Sequence, residues 1–239
     1  PYTTLLQGRE QKDKFTSSSF PIIVKPDIGL RGLGVDLVKN PDQLKKALDV
    51  PYDILVQEYI DYHLEFGVFY SCNPETMTPK ITGVTGKQFL SISGDGIHSF
   101  GELLNRNPRI GKNRDRFKNE YQSQWNRILN KGEHITIENI GNHNRGTLFY
   151  DASHLIDERM IHLFQKIAEN IQGFYWGRFD VRVKTESDLY TGDHLKIIEV
   201  NGSQSEPTHL YDPRYSIFRA YRVLFQHCKL NYLLTHTLV

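Results

Sequence analysis

Gly177-Arg178-Phe179-Asp180-Val181-Arg182-Val183-Lys184, a polar loop, and then Leu195-Lys196-Ile197-Ile198-Glu199-Val200-Asn201 are the two runs that decide the fold. Side chains alternate between the faces of a strand. Arg178, Asp180, Arg182 and Lys184 therefore share one face, and Phe179, Val181 and Val183 share the other. On the second run Glu199 and Asn201 point together, with Ile198 and Val200 opposite. A simple hairpin sets Asp180 across from Glu199 and Arg178 across from Asn201; a bulge would shift this register. Two carboxylates and an amide oxygen on one wet face make a hard-oxygen set suited to Mg²⁺, which keeps several waters and takes further oxygens from phosphates. Arg178 relieves repulsion between the acids and can hold a developing oxyanion. The alternative is a solvent-facing sheet laced with cross-strand ion pairs. Gly202, directly after Asn201, weighs against it, because glycine there brings backbone close to another group.

Working outward, Phe20–Lys25 reads as a short buried strand ending at Pro26. The turn Asp27–Gly34 follows, with Gly29, Gly32 and Gly34 around Arg31, and Val35–Val38 returns as a strand. Backbone N–H groups in such a turn can face an anion, and Lys25 adds a point charge for phosphate oxygens. The spacing is not that of a Walker A loop, and an ordinary hairpin turn is the competing reading. Asn40-Pro41-Asp42 predicts a helix start. Ile54–Ile60 reads as a strand running into a linker, with Gln57, Glu58, Tyr59 and Ile60 at its end. Backbone at a strand edge can pair with an adenine edge, and Glu65 can accept from two ribose hydroxyls. Taken alone, Glu58 and Glu65 are ordinary surface acids.

Glu65–Ser71 and most of Ile81–Ser93 read as strands, and Gly94-Asp95-Gly96 as a turn. Ser99 with Glu102 predicts a capping box. The Arg-, Lys- and Asn-rich stretch 105–130 predicts a solvated helix. A short strand at Ile135–Ile140, a polar loop at Asn142–Gly146, a helix at Asp157–Ile171 and a last helix from about Ser216 to His227 complete the pattern. The elements do not alternate regularly, which predicts an α+β fold with largely antiparallel sheets.

The 239 residues hold 29 Lys plus Arg against 28 Asp plus Glu. This balance argues against nucleic-acid binding through a general basic face. Cys72 and Cys228 offer neither a disulfide framework nor metal-ligand spacing, which points to a reducing compartment and a cytoplasmic location. No apolar run reaches the roughly 20 residues that span a bilayer, so no membrane partner is expected. The ten histidines include no helix-spaced pair, which leaves a zinc hydrolase remote.

In this order the segments resemble the ATP-grasp superfamily, from about Phe20 to Pro213. The residues that carry the likeness are Ile23-Val24-Lys25-Pro26 with the glycine turn, Val56-Gln57-Glu58-Tyr59-Ile60 with Glu65, Gly94-Asp95-Gly96 leading to Glu102-Leu103-Leu104, Gly177-Arg178-Phe179-Asp180-Val181, and Ile198-Glu199-Val200-Asn201-Gly202. Within the superfamily the pattern is similar to D-alanine–D-alanine ligases and to the ATP-grasp part of cyanophycin synthetases; Asn142–Thr147 looks more like the latter.

The resemblance implies two α+β lobes gripping ATP. The small lobe is expected at 1–60, with part of 61–80, and the large lobe at 61–239. The family's preceding N-terminal domain is expected to lie outside this sequence. The likeness also implies roles. Lys25 and the Gly29–Gly34 turn would meet the phosphates. Gln57 to Ile60 would meet adenine, Glu65 the ribose, Lys87 the nucleotide, and Ile198 the adenine face. Asp180, Glu199 and Asn201 would hold Mg²⁺ or Mn²⁺. Arg178, with Arg145, would steady an acyl phosphate. Gly202, Ser203, Ser205 and His209 fall in the substrate segment. The expected activity is ADP-forming carboxylate–amine ligation of small molecules, amino acids or peptides among them. A phosphotransferase on a hydroxyl, a non-catalytic nucleotide-binding module and a homodimer stay open.

Overall fold

The structure, a computed structural model, describes residues 2–17, 19–29, 33–202 and 204–237. The chain forms two compact units, Pro1–Tyr62 and His63–Val239.

The first unit contains β1 (Thr3–Leu6), α1 (Gly8–Lys14), β2 (Ile22–Pro26), β3 (Asp36–Val38), α2 (Pro41–Leu48) and β4 (Ile54–Glu58). Its sheet runs β1-β4-β2-β3, antiparallel throughout. Leu6, Ile22, Val24, Val38, Leu44, Leu48, Ile54 and Val56 fill its core. The Asn40 side chain accepts from the Gln43 N–H at 2.9 Å and Pro41 occupies the first turn of α2, so this helix starts where its sequence says. Lys12 is buried, with Nζ on the Val50 and Tyr52 carbonyls. β1 and α1 have no counterpart in the sequence reading. Their presence places β4 inside the sheet, with the Glu58 N–H donating to the Tyr2 carbonyl at 2.9 Å. The strand is therefore paired on both sides up to Glu58.

The second unit continues with β5 (Leu64–Asn73), β6 (Thr78–Gln88), β7 (Ser91–Ser93), α3 (Phe100–Arg106), α4 (Arg114–Glu120), β8 (His134–Thr136), β9 (Leu148–Asp151), α5 (Glu158–Glu169), β10 (Trp176–Val183), α6 (Asp188–Thr191), β11 (Lys196–Asn201) and α7 (Ile217–Thr237). The main sheet runs β11-β10-β5-β6-β9, again antiparallel. One face carries the core: Phe66, Val68 and Tyr70 from β5, Val84 from β6, and Phe179, Val181 and Val183 from β10, packed by Met160, Phe164 and Ala168 of α5. α5 presents these three at the i, i+4, i+8 spacing of one helix face, and Asp157 caps it through the Met160 N–H.

Residues between β6 and β9 form a satellite with its own core, including Leu90, Phe100, Leu104, Ile110, Phe117 and Leu129. The Ser99–Glu102 capping box of α3 is formed. The continuous solvated helix expected at 105–130 is not. Gly111 adopts φ 48 inside a 3₁₀ segment, Pro108–Asn113, and α4 ends at Glu120 before a further 3₁₀ turn. Buried Ile110 and Phe117 draw this polar stretch onto the satellite core. β8 is shorter than expected, and α7 runs ten residues beyond His227. Among the described residues, no helix is long and apolar enough to cross a membrane.

Phe164 is fully buried, with its ring 5.6 Å from that of Phe179. Phe164→Ala should cost about 3–5 kcal/mol, read as a lower urea midpoint of the unit that carries α5. An unchanged midpoint would show that α5 does not carry this core.

Candidate functional site

The face of the main sheet opposite α5 collects charge. Cross-strand register puts Glu65 of β5 between Lys87 of β6 and Arg182 of β10, and Gly67 between Thr85 and Asp180. Lys87 Nζ lies 2.8 Å from Glu65 Oε1 and 3.4 Å from Asp180 Oδ2. Arg182 Nε donates to the other Glu65 oxygen at 2.9 Å, and Arg182 Nη2 donates to the Asn139 carbonyl. Arg178 Nε donates to Asp180 Oδ1 at 2.8 Å, and its Nη1 holds the Glu206 carbonyl at 3.0 Å.

Glu65, Lys87, Asp180 and Arg182 are all buried. Isolated charges would not survive there, because burial disfavours the ionised form; here they persist through mutual pairing. Burial works against charge on Asp180, but Lys87 and then Arg178 outweigh it and hold the carboxyl below its ordinary value. Burial likewise opposes the Lys87 ammonium, and Asp180 and Glu65 together outweigh it and raise its pKa. Three cations face two anions, so this face carries a net positive charge before Glu199 is counted.

Two glycines make room for the cluster. A Cβ on Gly67 would stand 3.0 Å from Asp180 Oδ1 and 3.1 Å from Arg178 Cδ. Gly141 lies so close to the Glu65 carboxylate that a Cβ would collide with it. The satellite segment 139–141 thus closes over Glu65.

β10 and β11 adopt the register expected from sequence, Asp180 opposite Glu199 and Arg178 opposite Asn201. A bulge follows at once: Val181 pairs with Ile197, leaving Ile198 as the extra residue. The bulge corrects the simple alternation, since Ile197, not Ile198, joins the core side. Glu199 is exposed and Asn201 half-buried. The Asn201 Nδ2 group is buried and lacks an acceptor among the described residues, as a polar group completed by a ligand would be.

The other predicted residues fall as follows. In the first unit, Lys25 Nζ is 3.3 Å from Gln57 Oε1, and Gln57 Nε2 donates to Thr3 at 3.2 Å. Gly34 takes φ +72, a conformation that favours glycine, and Gly29 is exposed. Arg31 and Gly32 lie outside the described residues. Glu58 is exposed, Tyr59 half-buried and Ile60 buried. In the second unit, Glu65 pairs with Lys87 through one oxygen and with Arg182 through the other. Arg145 sits 3.6 Å from the buried Glu138, which Arg116 also contacts. Ser203 lies outside the described residues. Ser205 donates to the Gly202 carbonyl from both N–H and Oγ, and the Gly202 Cα faces open space. His209 is buried, its ring packed on Gly83 with Nδ1 unpaired among the described residues, and burial pushes its pKa down. Its neighbour Thr208 donates to Thr85 at 3.0 Å. Arg182, Gly67, Thr85 and Gly141 were not singled out from sequence. The β5–β6–β10 register reveals the first three, and the close approach to the Glu65 carboxylate reveals Gly141.

Among the described residues, no group of three or more His, Cys, Asp or Glu side chains gathers as a metal site. Asp180, Glu199 and Asn201 supply two carboxylates and an amide, a partial oxygen set that suits a cation taking its other oxygens from a ligand.

Residues 1–67 match the family model described as the RimK-like ATP-grasp domain. The family likeness thus lies in the first unit and the start of β5. The match covers 67 of 239 residues. Among solved structures, a bifunctional glutathione synthetase from Pasteurella multocida is similar at 17% identity and a TM-score of 0.45, over 95% of this chain and 33% of that one. The D-alanine–D-alanine ligase from Helicobacter pylori gives 15% and 0.46, over 95% of this chain and 55% of that one. An ADP complex of N5-carboxyaminoimidazole ribonucleotide synthetase gives 10% and 0.49, over 87% and 42%. The chain thus spans about a third to just over half the length of those proteins. No curated protein sequence matches it.

The buried cluster predicts a loss of stability in acid. The lowered Asp180 pKa contributes stability that is full above the ordinary carboxylate value of 3.8 and is lost as pH falls through the folded value. Wild type should therefore lose its urea-midpoint advantage over Asp180→Asn as pH drops from about 6 to below 3. Parallel profiles would contradict the pairing. Lys87→Met, which leaves Glu65 and Asp180 short of a partner, should cost about 3–5 kcal/mol by the same measurement at neutral pH.

Proposed function

We propose that this chain is the ATP-grasp part of an ATP- and Mg²⁺-dependent ligase that joins a small-molecule carboxylate to an amine through an acyl phosphate. The observation that carries the reading is the trio of buried Lys87 and Arg182 and partly buried Arg178 on one sheet face, with Asp180 between them and Glu199 and Asn201 in register beside it. Fixed cations interleaved with carboxylates favour a polyphosphate together with the divalent ion that travels with it.

In this reading Asp180, Glu199 and Asn201 hold Mg²⁺, which when bound neutralises charge on the β- and γ-phosphates. Lys87 meets phosphate oxygens, and Glu65 keeps Lys87 and Arg182 in place. In the first unit, Lys25 and the glycine turn are the phosphate contacts, while Tyr59 and Ile60 offer backbone to the base. A substrate carboxylate oxygen attacks the γ-phosphorus and the bond to ADP breaks. Arg178, fixed by Asp180 and the Glu206 carbonyl, steadies the acyl phosphate. An amine then attacks the acyl carbon, phosphate leaves, and an amide and a proton result. The protein contributes position and electrostatics. Gly202, Ser205 and His209 belong to the segment that shapes the acceptor side. Arg145, held by Glu138, supports the satellite segment over Glu65.

Calorimetry with ATP and Mg²⁺ should show saturable binding that Asp180→Asn weakens at least about tenfold. A screen of amino acids and short peptides should then identify a carboxylate that drives ADP release and gives a hydroxamate with hydroxylamine. No nucleotide binding would refute the site. A phosphorylated hydroxyl product without hydroxamate would refute the ligase chemistry.

A further inference from the structure

The two faces of α7 differ in what they meet. The inner face is anchored: Leu230 and Leu234 pack with Phe69 and Trp176, and the His227 ring lies 4.5 Å from Phe69 and 4.6 Å from Trp176. His227 Nε2 is also 3.1 Å from the Ser205 carbonyl. The outer face is exposed. Phe218, Phe225 and Tyr232 are 84%, 70% and 63% accessible, and Tyr221 and Cys228 are exposed between them.

These positions, 218, 221, 225, 228 and 232, advance by alternating steps of three and four. That is the 3.5-residue period of a seam that meets another helix. Ile217 and Leu233, also exposed, widen the apolar surface near the two ends of the helix. An aromatic ring recurs at every seventh position, 218, 225 and 232. Arg222 and Lys229 follow Phe218 and Phe225 by four residues each and are exposed along one flank of the seam. α7 has no Asp or Glu. Arg219 is turned to Asp151 at 3.5 Å and stacks on Tyr215, so Arg222 and Lys229 set the charge of that flank.

We propose that this face docks one amphipathic helix of a partner protein, with aliphatic residues along its seam and Asp or Glu on the flank that meets Arg222 and Lys229. Charge complementarity selects this occupant. Flanking charges set partner choice in helix pairs. A second copy laid antiparallel about Phe225 would bring Arg222 of each copy beside Lys229 of the other, like against like. A helix lying on an anionic bilayer has a strongly charged polar face opposite its apolar one; here the aromatic stripe is basic on one side, and the opposite face is taken by the protein core. The inference is independent of the proposed reaction.

A synthetic three-heptad peptide with Leu at its seam positions and Glu on its flanks tests it. The peptide is titrated against the whole chain by fluorescence anisotropy, beside a counterpart with Lys on the flanks. The Glu peptide should bind saturably and at least about tenfold more tightly than the Lys peptide, with the preference fading in high salt. Arg222→Glu with Lys229→Glu should invert the preference. Phe225→Asp, a change on the exposed face, should abolish binding while circular dichroism and the urea midpoint stay as in wild type. Failure of the Glu peptide to bind, equal binding of the two peptides, or binding indifferent to Phe225→Asp would overturn the proposal. So would a dimer in sedimentation, or adsorption to phosphatidylserine vesicles, that Phe225→Asp removes; these would give the face to a second copy or to lipid.

Discussion

The ammonium of Lys87, held between Glu65 and Asp180, is the contact on which the polar half of the second unit depends. Burial works against charge on both Asp180 and Lys87, and their pairing outweighs it. Because all three groups sit on different strands, their pairing also fixes the order β10-β5-β6. A register slip of one residue would turn every charge into the α5 core and every core side chain out. The ion pairs and the apolar face are therefore two consequences of one alignment. The first specifies it and the second supplies most of the stabilisation.

The cluster also explains where small residues must fall. Gly67 leaves space between Asp180 and Thr85, and Gly141 lets the satellite segment lie against Glu65. Arg178 reaches in the other direction, to the Glu206 carbonyl, and couples the Asp180 centre to the segment after β11. That segment is tied down again at Ser205 by His227, at Thr208 by Thr85, and at Asp212 by the Asp151 N–H. Pre-set geometry of this kind is what a site acting through electrostatics requires, since donors that need not reorganise act most strongly.

Much of this was legible in the sequence, for definable reasons. Alternation of charged and apolar residues from Arg178 to Val183 sets the faces of β10. The matched acid and amide of β11 set the hairpin register. Asn40-Pro41 and Ser99–Glu102 carry their own capping chemistry, which local sequence encodes fully. The bulge at Ile198 was not legible, because an extra residue leaves no trace in a run of alternating character. Nor was the fate of Glu65: its partners are 22 and 117 residues away and meet it only across strands. β1 is four residues long, and nothing in Thr3–Leu6 separates it from a loop until β4 is there to receive it. In 105–130 the polar composition outvoted Ile110 and Phe117, the two side chains that decide its packing.

In the proposed reaction the Asp180–Glu199–Asn201 edge of this charged face receives the divalent ion of a nucleotide. A crystal of the chain grown with Mn²⁺ and a non-hydrolysable ATP analogue tests it most directly, through the anomalous signal of manganese. An anomalous peak is expected within coordination distance of Asp180 and Glu199, with phosphate oxygens turned toward Lys87 and Arg178. A nucleotide bound with its metal elsewhere, and the Lys87–Asp180 contact undisturbed, would contradict it.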